Sequence, residues 1–427
     1  MRALRARRGS QGTASPTAQH AASLTARIGV GQGTDVSPFT LSLSPSGGER
    51  VPFRAGEGNA EDSPAFHLSA CLRLLLFTFA LGFSPLRAPT VAAAAETSPP
   101  YRWIQVAAKA PFAPRDGAGA FVFAGRMWLA GGWNPSDKKA FPRTCSNDVW
   151  ESADGALWSL VKLNTFLDAA FDPTRDWEGR HTAGYVVHCD KMWIIGGDPI
   201  QRHYQSDVWN SSDGRTWQYV NKDHPVPWGP RVLHYTLAFK DKLWVLGGQT
   251  LPPFAPHEEI FYRDIWNSSD GIQWQQLKPK EPYWSARGMI GGSVVFQGRM
   301  WILGGGTYDT PKVPKREFYN DVWSSPDGVQ WTRHLESAPW PPRQYHDVAV
   351  FDNRMWVLEG YHEKGGNRND VWYSADGVAW SPLPGTPWKP RHAASVFVHD
   401  NALWMVAGNN MEADVWKLVR TSPEPER

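Results

Sequence analysis

From residue 115 onward the chain repeats one order of elements six times, and this repetition constrains the fold more than any other feature. In the first unit the order is Arg115, then Gly125-Arg126-Met127-Trp128-Leu129-Ala130-Gly131-Gly132, then Asn147-Asp148-Val149-Trp150, then Asp154-Gly155-Ala156-Leu157-Trp158. The Trp of the second element returns at Trp193, Trp244, Trp301, Trp356 and Trp404, at spacings of 65, 51, 57, 55 and 48 residues. The Asp of the third returns at Asp207, Asp264, Asp321, Asp370 and Asp414, and the fourth ends at Trp217, Trp274, Trp331 and Trp380. A period of about 50 residues marks an array of supersecondary units, none of which can bury its apolar face alone.

Each unit divides into four short apolar segments. In the first, Ala118–Phe123 and Arg126–Gly131 read as strands a and b, joined by the two-residue turn Ala124-Gly125. The equivalent turns are Cys189-Asp190, Lys240-Asp241, Gln297-Gly298 and Asp352-Asn353, rich in residues that tolerate the positive φ of a hairpin turn. Asp148–Ser152 reads as strand c, and Asp154-Gly155 turns it into strand d around Trp158. The run Met127-Trp128-Leu129 puts large side chains on both sheet faces. Such a sheet must be stacked between others, as propeller blades are. The expected fold is all-β: a six-bladed propeller with four antiparallel strands per blade.

The strand count predicts how the ring closes. Unit six stops at Asp414-Val415-Trp416-Lys417-Leu418 without a fourth strand, and Tyr101-Arg102-Trp103-Ile104-Gln105-Val106 has the look of the missing one. It is expected to pair with the last strand c and so remove an exposed sheet edge.

Composition bounds the function. The 427 residues carry 44 Lys+Arg and 42 Asp+Glu, a net of +2, which leaves no electrostatic footprint for nucleic acid. Three Cys are too few for a disulfide framework. Residues 1–95 contain no Trp, nine Arg and five acids, so the chain is expected to divide at about that point. Leu74–Phe83 is an apolar run behind Arg73, shorter than the ~20 residues that span a bilayer, and Ala92–Ala95 supplies a small-residue cleavage pattern before Glu96. The expected organisation is an extension over 1–70, a signal peptide over 71–95, the propeller over 96–418 and a disordered tail over 419–427. The expected location is secreted or periplasmic, with no transmembrane segment and a monomeric chain.

On the repeated elements, with the Gly-Gly pairs 131–132, 196–197, 247–248 and 304–305, residues 101–418 resemble kelch-repeat β-propellers such as the central domain of galactose oxidase and bacterial kelch proteins. The Ser-x-Asp-Gly-x-x-Trp elements from Ser152, Ser211, Ser268, Ser325 and Ser374 also look like shortened Asp-boxes, which are structural in sialidase-type propellers. The resemblance implies a frame that hosts binders, scaffolds and enzymes alike.

Candidate site residues follow from the frame. The b–c and d–a connections share one face and include long insertions, Gln249–Arg263, Thr307–Asn320 and Asn164–Gly179, which favour that face for function. Each strand a is preceded by an arginine: Arg115, Arg180, Arg231, Arg287, Arg343 and Arg391. Three residues earlier stands an aromatic: Phe112, Trp177, Trp228, Trp284, Trp340 and Trp388. A ring of Arg and Trp would suit a carboxylate or sugar ligand. Alternatively, each Arg stacks on the aromatic of its own blade and staples the d–a turn. Glu359 breaks the Gly-Gly pattern in unit five, as a mouth-facing acid or base, or as a solvated or Arg-paired carboxylate.

No metal or cofactor motif is present. Cys145 falls on the loop face and Cys189 in an a–b turn, away from any evident copper-ligand set, and no disulfide between them is expected. The functional expectation is an exported module that binds a protein or carbohydrate ligand on its loop-rich face. The alternatives are a cofactor-independent carbohydrate-active enzyme similar to sialic-acid mutarotases, with Glu359, Arg343 and Arg391 as its candidates, and a purely structural surface module.

Overall fold

A computed structural model describes residues 100–136, 143–200, 203–250, 260–288, 291–308 and 315–421, all within the unit Val91–Arg427. The expected extension and signal peptide, and residues 422–427 of the expected tail, lie outside the described residues.

Blade 1 is built from Gly119–Phe123, Arg126–Ala130, Val149–Ser152 and Ser159–Lys162, paired antiparallel in that order. Blade 2 runs Gly184–His188, Lys191–Ile200, His203–Ser211 and Gln218–Tyr219; blade 3 runs Tyr235–Phe239, Lys242–Leu246, Ile265–Ser268 and Gln275–Leu277. Blade 4 runs Ser293–Phe296, Arg299–Gly306, Phe318–Ser325 and Thr332–Leu335; blade 5 runs Asp347–Phe351, Arg354–Leu358, Val371–Ser374 and Ser381–Leu383. Blade 6 combines Ser395–His399, Ala402–Val406 and Val415–Arg420 with Tyr101–Ala107 as its outermost strand. The first strand of every blade neighbours the first strands of the blades on either side, including blade 6 with blade 1. The result is a closed six-bladed β-propeller, without helices among the described residues.

Local chemistry explains the blade. All six a–b turns place both central residues at positive φ, from Ala124-Gly125 (49° and 71°) to Asp400-Asn401 (47° and 52°), as twisted strands joined by two residues require. The strand-b Trp then donates its indole N–H to the carbonyl that ends strand a, as Trp128 does to Phe123 and Trp356 to Phe351, both at 2.9 Å. The six strand-b Trp are 0–5% exposed.

Blade stacking uses the c–d hairpin. In each Ser-x-Asp-Gly-x-x-Trp element the Ser hydroxyl accepts from the Gly N–H, and the Asp carboxylate accepts from two further N–H groups, as in Ser152, Asp154 and Gly155. The Gly lies on the strand-b Trp of the preceding blade. A Cβ at Gly214 would come 2.4 Å from Trp128, and one at Gly377 would come 2.3 Å from Trp301. Blade 6 has no such element to cover Trp356. Tyr101 takes its place, edge-on at 4.8 Å, with its hydroxyl donating to Asp352 Oδ2 at 2.5 Å.

The closing strand is anchored along its length, with Tyr101 opposite Arg420 and Trp103 opposite Leu418. Trp103 also meets Trp388 edge-to-face at 5.7 Å, the contact that Trp217 makes with Trp177 in blade 2. Truncation of Tyr101 to Ala should therefore cost about 3–5 kcal/mol, the usual loss for a buried aromatic, while Tyr101→Phe should cost about 1 kcal/mol for the hydrogen bond. Urea unfolding of the two variants measures both; a Tyr101→Ala protein as stable as the parent would contradict closure through this strand.

Candidate functional site

The six repeat arginines are built into the wall rather than offered to solvent. Each is 0–3% exposed and forks onto the Asp of its own blade's Asp-Val/Ile-Trp element: Arg115 with Asp148, Arg180 with Asp207, Arg231 with Asp264, Arg287 with Asp321, Arg343 with Asp370 and Arg391 with Asp414. The same guanidinium donates to the carbonyl of the first residue of the Gly-Gly position, as Arg115 does to Gly131 at 2.7 Å and Arg343 to Glu359 at 2.6 Å. The Asp in turn accepts the indole N–H two residues on, from Trp150 through to Trp416. Burial alone would raise the Asp148 and Asp370 carboxyls, but Arg115 and Arg343 hold them below the usual range.

Trp177, Trp228, Trp284, Trp340 and Trp388 are likewise 0–3% exposed. Arg231, Arg343 and Arg391 sit over Trp228, Trp340 and Trp388 at 5.5–5.8 Å. Each of these Trp meets the strand-d Trp of its own blade edge-to-face, as Trp284 does Trp331 at 6.0 Å. The Arg and Trp that the sequence offers as ligand contacts are thus placed as staples of the d–a turn, with no face toward the mouth.

Glu359 is neither solvated nor ion-paired. It is 0% exposed, accepts from the Ala394 N–H of blade 6 at 3.0 Å and shares a hydrogen bond with the Asp347 carboxyl. Burial pushes its carboxyl up to about 7, against the pull of the Asp347 hydrogen bond, the Ala394 N–H and the charges of Arg391 and Arg343. Asp347 is raised well above the carboxylate range by burial and by the Glu359 charge. A side chain is tolerated here because φ at the first Gly-Gly position is 51° at Glu359 and 55° at Ala407, within left-handed helical space. The second position has φ of 92–123° and is Gly in all six blades.

Next to these joints runs a rim of paired residues, part of it buried, with Val232, Gln249 and Gln344 at 0–2% exposure. The residue after each repeat Arg bridges the residue after each Gly-Gly position: Asp116 with Trp133, His181 with Asp198, Val232 with Gln249, Gly288 with Gly306 and Gln344 with Tyr361. His392 and Asn409 complete the set through the Asn409 N–H and the His392 carbonyl. The rim is uneven. Across blades 4 to 6 it is aromatic: Tyr345 stacks on His392 at 5.0 Å, Tyr361 meets His392 at 5.7 Å, and Phe318 meets His362 at 4.4 Å.

Across blades 6, 1 and 2 it is polar. Asn409 donates to Asp116 Oδ2 at 2.9 Å, while Asp116 Oδ1 is buried without a hydrogen-bond partner. His181 Nδ1 lies 2.8 Å from Asp198 Oδ1, and the Thr182 hydroxyl donates to that same oxygen at 2.7 Å. The His181 ring stacks on Trp133 at 5.8 Å and 21°. Burial raises Asp116 to about 6, opposed by His181 and Asn409. Burial would lower His181, yet the Asp198 charge and hydrogen bond hold its imidazole well above the usual histidine range. His392 is pushed down to about 3 by burial and then by the His181 charge.

Cys145 stands beside this arc, with Sγ 3.8 Å from His181 Nδ1, and burial raises its thiol. Among the described residues no three His, Cys, Asp or Glu side chains converge as metal ligands. Cys145 and Cys189 are free thiols.

The sequence singled out the repeated columns and passed over the rim. Its signal was nonetheless present: the residue after Arg and the residue after Gly-Gly are columns where the six units disagree.

No family model matches the chain. A leucine-zipper-like transcriptional regulator 1 homolog from Drosophila melanogaster is 27% identical over 133 residues, or 31% of this chain. That stretch is 13% of the regulator homolog's own length. No helix among the described residues is long and apolar enough to cross a membrane.

Two outcomes test this wall. Arg391→Met leaves Asp414 buried without its partner and should cost about 3–5 kcal/mol in urea unfolding, whereas Arg175→Met on the exposed insertion should cost within about 0.5 kcal/mol. Glu359 keeps its proton to higher pH in the folded chain than in the unfolded one, so its burial destabilises increasingly as pH rises from the usual Glu range toward about 7. Glu359→Gln should therefore be stability-neutral near pH 4 and stabilising by on the order of 1–3 kcal/mol at pH 8. An equal effect at both pH values would exclude a raised Glu359 carboxyl.

Proposed function

We propose that the chain is an exported recognition module of the kelch-propeller kind, which binds a protein or carbohydrate ligand at the axial rim of its loop-rich face. One observation carries this reading. The residues that repeat in every blade are consumed internally, by the Arg–Asp forks and edge-to-face Trp pairs, while the columns that differ between blades converge on the rim. A rigid frame with individual residues at one mouth is the usual layout of a binding surface. The Leu74–Phe83 run and the Ala92–Ala95 pattern support export, with the propeller as the exported part.

A glycan array and a panel of extracellular protein fragments, probed with residues 96–427, test the reading. Binding should be lost on combined Trp133→Ala, Tyr345→Ala and Tyr361→Ala substitution and kept on Lys240→Ala with Gln297→Ala in the a–b turns. The opposite pattern would move the function to the other face. N-terminal sequencing of the exported protein checks the cleavage; a mature end far from residue 96 would oppose it.

A second reading, a cofactor-independent carbohydrate-active enzyme, is favoured by a different residue from the one the sequence suggested. Asp198 orients His181 through Nδ1, and among the described residues no hydrogen bond engages Nε2, at a side chain 23% exposed, the arrangement of a proton-transfer group. Anomer exchange of a reducing sugar followed by NMR, wild type against His181→Asn, decides between catalysis and binding alone.

A further inference from the structure

Resting on the rim reading above, we infer that the polar arc of blades 6, 1 and 2 is a subsite for the ring of a neutral saccharide, with Trp133 as its platform and Asp116 and His181 as its hydrogen-bonding pair. Three features of the arc select that chemistry.

The first is the mixture of donors and acceptors. His181, with Nδ1 committed to Asp198, leaves Nε2 for a ligand, and the buried carboxyl of Asp116 lies on the same arc. A sugar hydroxyl both donates and accepts, so one face of a pyranose satisfies the two together.

The second is the balance of charge. The imidazole of His181 stands near two carboxyl groups, Asp116 and Asp198, and the repeat arginine next door, Arg115, is neutralised by Asp148. A cationic ligand meets His181 and an anionic one meets Asp116 and Asp198. A hydroxyl-rich neutral ring meets neither penalty.

The third is the unpartnered Asp116 Oδ1. A buried acceptor without a donor carries a standing cost, and a hydroxyl entering the arc relieves it. Beside it the half-buried indole of Trp133 supplies an apolar face for the ring carbons, held in place by the His181 stack and by main-chain pairing to both Asp116 and Cys145. The opposite half of the rim has aromatic faces in Phe318, Tyr345 and Tyr361, yet no comparable carboxyl–imidazole pair among the described residues.

Saturation-transfer NMR and calorimetry with D-glucose, D-galactose, D-mannose, D-xylose and N-acetyl-D-glucosamine, against D-glucuronate and D-glucosamine, test the assignment. At least one neutral sugar should bind, and more tightly than both charged sugars. Asp116→Asn and His181→Gln should each weaken it by about tenfold or more, Trp133→Phe should weaken it less than Trp133→Ala, and Lys240→Ala with Gln297→Ala should leave it within about twofold. Melting curves establish that each variant is folded. Preference for a charged sugar, absence of any neutral sugar binding, or binding untouched by the Asp116 and His181 variants would overturn the assignment. Binding lost only in Phe318→Ala or Tyr361→Ala overturns it while sparing the rim reading; binding lost only on Lys240→Ala with Gln297→Ala overturns both.

Discussion

A guanidinium taken out of water must be given a counter-charge and enough acceptors, or the fold that buries it fails. This chain buries six. In each blade the Asp of strand c supplies the fork, the carbonyl of the Gly-Gly position accepts a further N–H, and Nε donates to a carbonyl two or three residues back. That fork ties together the start of strand a, the end of strand b and the start of strand c, three segments with no other common point. The left-handed backbone at the Gly-Gly position is what turns its carbonyl inward. Remove any part and a buried charge or an orphaned carbonyl remains. The rest of the loop face hangs from these six joints.

Stacking between blades depends on a second set of close approaches. A glycine on each c–d hairpin lies against the indole of the blade before it, close enough that a methyl group would overlap the ring. Five hairpins serve five indoles. The sixth, Trp356, is covered by Tyr101, whose strand begins the propeller in sequence and finishes it in space. The ring therefore has no sheet edge of the kind that invites pairing with another chain at the junction. Closure and covering of the last indole are performed by one strand.

The consequence for function is a division of labour between columns of the repeat. Arg, Asp and Trp recur because every blade needs the same joint, and that need leaves them nothing to offer a ligand. The rim residues escape it, since a bridge between main chains accepts any side chain. Individual chemistry accumulates there: a carboxyl at Asp116, an oriented imidazole at His181, an indole at Trp133 and an amide at Asn409. Glu359 is the instructive exception. Its place at the end of strand b suggested a mouth-facing acid, yet the side chain turns into the wall, toward Asp347 and the Ala394 N–H.

Blade number, strand order and turn positions were legible in the sequence because each is written locally, and the closing strand because the sixth unit lacks a fourth element. Period-two alternation, Asp-Gly turns and a repeat of about 50 residues depend on neighbours within a few positions. Stacking of the repeat arginines on their own blades' aromatics was one of the two readings the sequence offered, and it holds for Arg115, Arg231, Arg343 and Arg391; the Asp forks were not foreseen. The polar arc was not. Asp116 and Asn409 are 293 positions apart, and Cys145 meets His181 only where two blades abut. Nor was the burial of Glu359 legible, because its contact with the Ala394 N–H crosses from one blade to the next. The sequence by itself determined the frame, through contacts inside one unit. The tertiary structure decided which odd residues of different units share a mouth, because only ring closure sets the distances between them.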